Sequence, residues 1–143
     1  MVLITGASAG IGESCARYFA ASGREVILLA RRRNRVEELA ATIKARHGTK
    51  AHAFAVDVTD DAKLDAFFRE QDELLSRVTV LINNAGGAHG VAKIQDGSFD
   101  DWDTMLDVNV RALLRVTRAM LPRFLKNGEG HIVNLGSVAG RWV

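Results

Sequence analysis

Short, nearly continuous apolar runs alternate along this chain with stretches whose apolar residues recur at helical spacing, and no other feature constrains the fold so tightly. The runs are Val2–Thr5, Val26–Ala30, Ala51–Val56, Thr79–Asn83 and His131–Leu135. Continuous rather than alternating apolarity marks strands covered on both faces, as in a parallel sheet. Between them, Ile11, Cys15, Tyr18 and Phe19 form one expected helix stripe, closed by Gly23 as a C-terminal cap. Val36, Leu39, Ala40 and Ile43 form a second. Leu64, Phe67, Phe68, Gln71, Leu74 and Leu75 form a third, with Thr59 or Asp60 as cap. The fourth is the longest, from about Asp100 to Phe124, with Trp102, Leu106, Val110, Leu113, Thr117, Met120 and Phe124 along its inner side and Pro122 expected to bend its last turns.

Strands alternating with helices of this length are βαβ units with right-handed crossovers, so the predicted architecture is a doubly wound α/β sheet. Two crossovers place the first two helices on one face. Reversal of the chain after the third strand places the others on the opposite face, and leaves the fifth strand with an open edge and little cover. With 143 residues, a single proline and no Ser/Pro-rich tract, one domain over 1–143 is expected.

Composition narrows the function classes. Nineteen Lys and Arg against 17 Asp and Glu give a net charge of +2, too balanced to suggest nucleic-acid binding. No apolar run approaches the ~20 residues that span a bilayer, and no membrane association is expected. The single cysteine, Cys15, reads as a small buried thiol in a reducing compartment, so a cytoplasmic protein is expected. No metal site is assigned.

The first strand runs directly into Thr5-Gly6-Ala7-Ser8-Ala9-Gly10-Ile11-Gly12 and then a helix. Such a turn lets backbone N–H groups approach a pyrophosphate, to which the helix N-terminus adds partial positive charge. Glycines also suit any tight strand-to-helix turn; strand before, helix after and the surrounding fold pattern together favour a dinucleotide. At the end of the second strand, an acidic residue would suit the ribose hydroxyl of NAD and an arginine the 2′-phosphate of NADP. This chain has Arg31, Arg32 and Arg33 there, which reads as NADP (NADPH) held by Arg31 and Arg32 rather than as a solvated basic loop. Asp57-Val58 ends the third strand and Asn83-Asn84-Ala85-Gly86 the fourth, at the crevice where open α/β sheets bind ligands. Singly, Asp57 reads equally as a helix cap and Asn83 or Asn84 as an Asx turn.

Taken together these segments resemble the short-chain dehydrogenase/reductase family over the whole chain. TGASAGIG at 5–12, Asp57-Val58, NNAG at 83–86, Asn109 and His131-Ile-Val-Asn-Leu-Gly-Ser137-Val-Ala-Gly140 occur in that family's order. The resemblance implies a Rossmann-type sheet and hydride transfer between a nicotinamide and a carbonyl or secondary alcohol. It further implies that Asp57 approaches the adenine, Asn84, Ala85 and Gly86 line the cofactor, Ser137 orients the substrate carbonyl, and Asn109 holds a water in a proton relay. Ala30-Arg31-Arg32, Asp101-Trp102 and Gly136 to Trp142 are similar to the branch of NADP-dependent 3-hydroxy acid dehydrogenases.

The family's tyrosine, with a lysine four residues later, follows its serine by about a dozen residues. Here the only tyrosine is Tyr18, expected to be a core residue of the first helix, and the residue four later is Ser22. General acid catalysis contributes ~10²–10⁴ in rate, so the chain as given is expected to be inert or nearly so. It reads as the N-terminal part of a longer, homo-oligomeric enzyme, truncated after the fifth strand. The competing reading is a nucleotide-binding or assembly module without chemistry.

Overall fold

All five apolar runs are strands: β1 (Val2–Thr5), β2 (Val26–Ala30), β3 (Ala51–Ala55), β4 (Val80–Asn83) and β5 (His131–Asn134). The computed structural model describes residues 1–90 and 92–140. Every strand pairing is parallel, in the order β3-β2-β1-β4-β5. The pleat sends Leu3, Ile27, Leu29 and Leu81 to one face and Val2, Ile4, Val26, Leu28 and Ile82 to the other, all buried. Continuous apolarity in β1 and β2 therefore reflects two cores.

One core is closed by α1 (Gly10–Ala21) and α2 (Arg33–His47). The other is closed by α3 (Asp61–Glu70), the short α4 (Asp72–Leu75) and α6 (Ala112–Asn127). This is the predicted distribution about the sheet. The weak cover of β5 also appears: Val133 is 37% exposed, while Ile132, on the side of α6, packs against the second core.

Helix faces depart from the apolar stripes in three places. In α1 the buried residues are Gly12, Ala16 and Ala20, while Ile11 is 64% and Tyr18 74% exposed and Cys15 is half-buried. Small side chains at i, i+4 and i+8 let α1 lie close to β1, which turns Ile11 and Tyr18 outward while Phe19 and Cys15 pack partly against the core. Tyr18 is thus not a core residue. Gly23, at φ +80°, does close α1, its N–H donating to the Ala20 carbonyl at 3.0 Å.

The third helix is broken at Gln71 rather than continuous to Leu75. Its start is the expected one, for the Asp60 carboxylate accepts from the Lys63 backbone N–H at 3.0 Å. The fourth helix begins at α5 (Phe99–Leu106), passes through a π turn (Asp107–Arg111) and continues as α6. Ala112, Val116, Met120 and Phe124 face the sheet, and Leu106 and Val110 are about half exposed. The wider π turn shifts the helical phase, so a single 3.6-residue period drawn through it places the inner face wrongly. Pro122 lies within α6, which continues to Asn127.

Candidate functional site

The C-terminal ends of β1, β2 and β4 converge on the turn between β1 and α1. Thr5, 2% exposed, organises it. Its Oγ1 accepts from the backbone N–H groups of Asn84 and Ala85, both at 3.0 Å. The Asn84 side chain returns the contact, its Nδ2 donating to the carbonyls of Thr5 (2.9 Å) and Gly6 (3.2 Å). The β4 loop is therefore stitched to the glycine turn, with the Asn84 Nδ2 donors used in that stitch.

The glycines divide the work accordingly. A Cβ at Gly6 would meet Asn84 and Ala85, and one at Gly12 would meet Asn84 and the Gly6 carbonyl. These two permit a close approach within the protein itself. Gly10, at the start of α1, has φ +59° and open space where a Cβ would point. That position leaves the N-terminus of α1 open to solvent. Ala7 is fully buried, its N–H committed to the Leu29 carbonyl at 3.2 Å, whereas Ala9, Gly10 and Ile11 are exposed. Ser8 to Ile11 therefore form the outward part of the turn, at the N-terminus of α1, where the residue types suit a dinucleotide pyrophosphate.

At the end of β2, Arg32 extends to this turn, with Nη2 at 2.9 Å and Nε at 3.2 Å from the Ser8 hydroxyl oxygen. Arg31 is exposed one residue earlier. The pairing of Arg32 with Ser8 has no signal in the sequence beyond the position of each.

Asp57 makes a local turn, Oδ1 accepting from the Thr59 N–H (3.0 Å) and hydroxyl (2.8 Å), which leaves its second oxygen outside these bonds. The side chain of Val58 is 6% exposed and belongs to the core beneath. Gly86 lies against Asn109, whose Oδ1 would collide with a Cβ there. Asn109, in the π turn, clamps the next residue with both ends of its amide: Nδ2 donates to the Gly87 carbonyl at 2.8 Å and Oδ1 accepts from the Gly87 N–H at 3.0 Å. One N–H and one lone pair remain.

Ser137 follows β5 and is exposed; its Oγ accepts from the Ala139 N–H at 3.2 Å, so its own proton stays available to a ligand. Arg141 and Trp142, which carry part of the resemblance, lie outside the described residues. Among the described residues no cluster of His, Cys, Asp or Glu could hold a metal ion, and no helix is long and apolar enough to cross a membrane.

The sequence model of the short chain dehydrogenase family matches residues 1–142. The chain belongs to that family. It is 43% identical over 143 residues to sulfoacetaldehyde reductase 2 of Chromohalobacter salexigens, with 99% of the chain and 56% of the relative covered. It is 37% identical over 142 residues to the NADP-dependent 3-hydroxy acid dehydrogenase of Escherichia coli strain K12, again covering 99% of the chain and 56% of the relative. A short-chain dehydrogenase from Sphingobium yanoikuyae, solved in complex with NADPH, superimposes with a TM-score of 0.88 at 38% identity, covering 99% of this chain and 54% of that one. The chain thus spans about half the length of the curated relatives it matches.

Proposed function

We propose that the full-length protein is an NADP(H)-dependent oxidoreductase that interconverts a carbonyl and a secondary or primary alcohol on a short substrate bearing an anionic head group. The observation that carries the cofactor is the Arg32 guanidinium resting on Ser8, beside the cradle that suits a pyrophosphate. A guanidinium there offers a bidentate grip on a 2′-phosphate, and Arg31 is the second contact we assign. The nearness of an NADP-dependent relative and of an NADPH complex supports the same choice. Substrate class rests on the relatives' names alone: sulfoacetaldehyde and 3-hydroxy acids are both small and anionic.

When bound, the nicotinamide supplies hydride chemistry. Ser8, Ala9, Gly10 and Ile11 hold the pyrophosphate; Asp57 faces the adenine through its unused oxygen; Ala85 and Gly86 line the remaining path. The Ser137 hydroxyl donates to the substrate carbonyl as negative charge develops on its oxygen. Asn109 holds the loop at Gly87 and offers its remaining N–H to a relay water. Tyr18, on the outer surface of α1, is no proton donor, so we assign that role to a segment outside these 143 residues. The exposed row Leu106, Val110, Leu114 and Leu121 on the outer side of α5 and α6 suits a second copy of the chain. Half-buried, free Cys15 suits a cytoplasmic location.

The test is Ser137→Ala in the full-length enzyme, assayed with NADPH against short aldehydes carrying a sulfonate or carboxylate. Both kcat and kcat/KM are expected to fall on the order of 10²-fold, with NADPH affinity nearly unchanged. The 143-residue chain alone should give no turnover. Full turnover by the variant, or turnover by the short chain, would overturn this reading.

A further inference from the structure

Where β4, β5 and α6 meet, hydrogen bonds tie the side chains of Asn83, Thr117 and the exposed Asn134. Asn83, the last residue of β4, is 3% exposed. Its Nδ2 donates to Thr117 Oγ1 on α6 and to Asn134 Oδ1 on β5, each at 2.9 Å. Asn83 and Asn134 are also register partners in the parallel ladder. The arrangement carries a cost, since Asn83 Oδ1 is buried without a hydrogen-bond partner among the described residues. Apolar side chains at 83 and 117 would avoid it, so burial alone does not account for the network.

Its members stand next to the residues assigned to the reaction. Asn83 precedes Asn84, whose amide stitches the β4 loop to the glycine turn. Asn134 ends β5 shortly before Ser137, and Thr117 lies further along the helix that carries Asn109. A hydrogen-bonded tie fixes direction as well as distance, which apolar contact does not.

We infer that Thr117 is a positioning residue: through Asn83 and Asn134 it sets the Ser137 hydroxyl relative to Asn109 and the cofactor loop. This rests on the role proposed for Ser137. Positioning errors are costly in catalysis, for a misplacement near 1 Å lowers rates by about 10²-fold, and a partly relaxed tie by correspondingly less.

The experiment uses the full-length enzyme. Thr117→Val keeps the shape of the side chain and removes its hydroxyl. It is expected to lower kcat roughly tenfold, with NADPH affinity and Tm close to the parent's, because packing and the cofactor cradle are retained. Thr117→Ser restores the hydroxyl and should return most of the lost turnover. In a Ser137→Ala background, Thr117→Val should cost little further, as expected of groups acting through one another. A kcat within about twofold of the parent, a Thr117→Ser variant as slow as Thr117→Val, or an undiminished loss in the Ser137→Ala background each overturns the assignment. Should Thr117→Val fail to fold, Asn134→Ser loosens the same tie from the strand side and is read by the same criteria. Full turnover by Ser137→Ala alone removes the reading beneath the proposal; an unaffected Thr117→Val beside an impaired Ser137→Ala removes only the proposal.

Discussion

Replacing Arg32 by alanine separates the two cofactors that a dinucleotide fold can take. Without ligand, the guanidinium holds the neutral Ser8 hydroxyl through two bonds, of 2.9 and 3.2 Å. A bond with one ionised partner, such as either of these, lies near the lower end of about 1.5–3 kcal/mol, and one between two ionised partners near the upper end. Exchanging the hydroxyl for a 2′-phosphate therefore gains about 1.5 kcal/mol where one bond is exchanged and about 3 kcal/mol where both are, after the broken Ser8 contacts are subtracted. Arg32→Ala should weaken NADPH by about 10- to 150-fold and NADH by less than about twofold. Local damage is not a competing cause, because Arg32 occupies the N-cap position of α2 without a side-chain cap bond. The residue is exposed, so the NADPH penalty should shrink at high salt, where screening acts within about 3 Å at 1 M ionic strength. Fluorescence titration of the full-length protein at two salt concentrations measures both effects. Equal weakening of the two cofactors, or unchanged NADPH affinity, refutes the reasoning.

Two further outcomes follow from the surface. Hydrogen bonding and charge from Lys63 hold the Asp60 carboxyl below its ordinary range. A carboxylate depressed in the folded state adds stability above its unfolded value, about 3.9, and loses it as the pH falls through the lower folded value. Asp60→Asn should thus lower Tm at neutral pH, with the difference from the parent fading in strong acid; a Tm difference independent of pH contradicts the cap's charge. Leu114→Glu places a charge amid the exposed row on α5 and α6, where Leu114 is 59% exposed. Light scattering should report a smaller assembly than the parent's, and a monomeric parent or an unaltered assembly rejects that face as the contact.

Much of this molecule is legible one residue at a time. The parallel sheet follows from apolar runs too continuous for a half-exposed strand, and the division of helices between its faces follows from crossover handedness. The glycine turn and the Arg31-Arg32 pair, proposed here as the cofactor contacts, could be placed from the sequence because each stands at a strand end, a place defined by sequence order. What required the tertiary structure depends on contacts between distant segments. Tyr18 looks like a core residue until the small Gly12, Ala16 and Ala20 are seen to take the inner face of α1. Gly6 and Gly12 look like openings for a ligand until Asn84, from the loop after β4, occupies the space beside them. A hydrophobic period is an average over regular geometry, so it carries no record of the π turn at Asp107–Arg111 that rotates α6. The bonds of Asn83 to Thr117 and Asn134 join residues far apart in the chain, and hydrogen-bond direction is set only once three elements have packed.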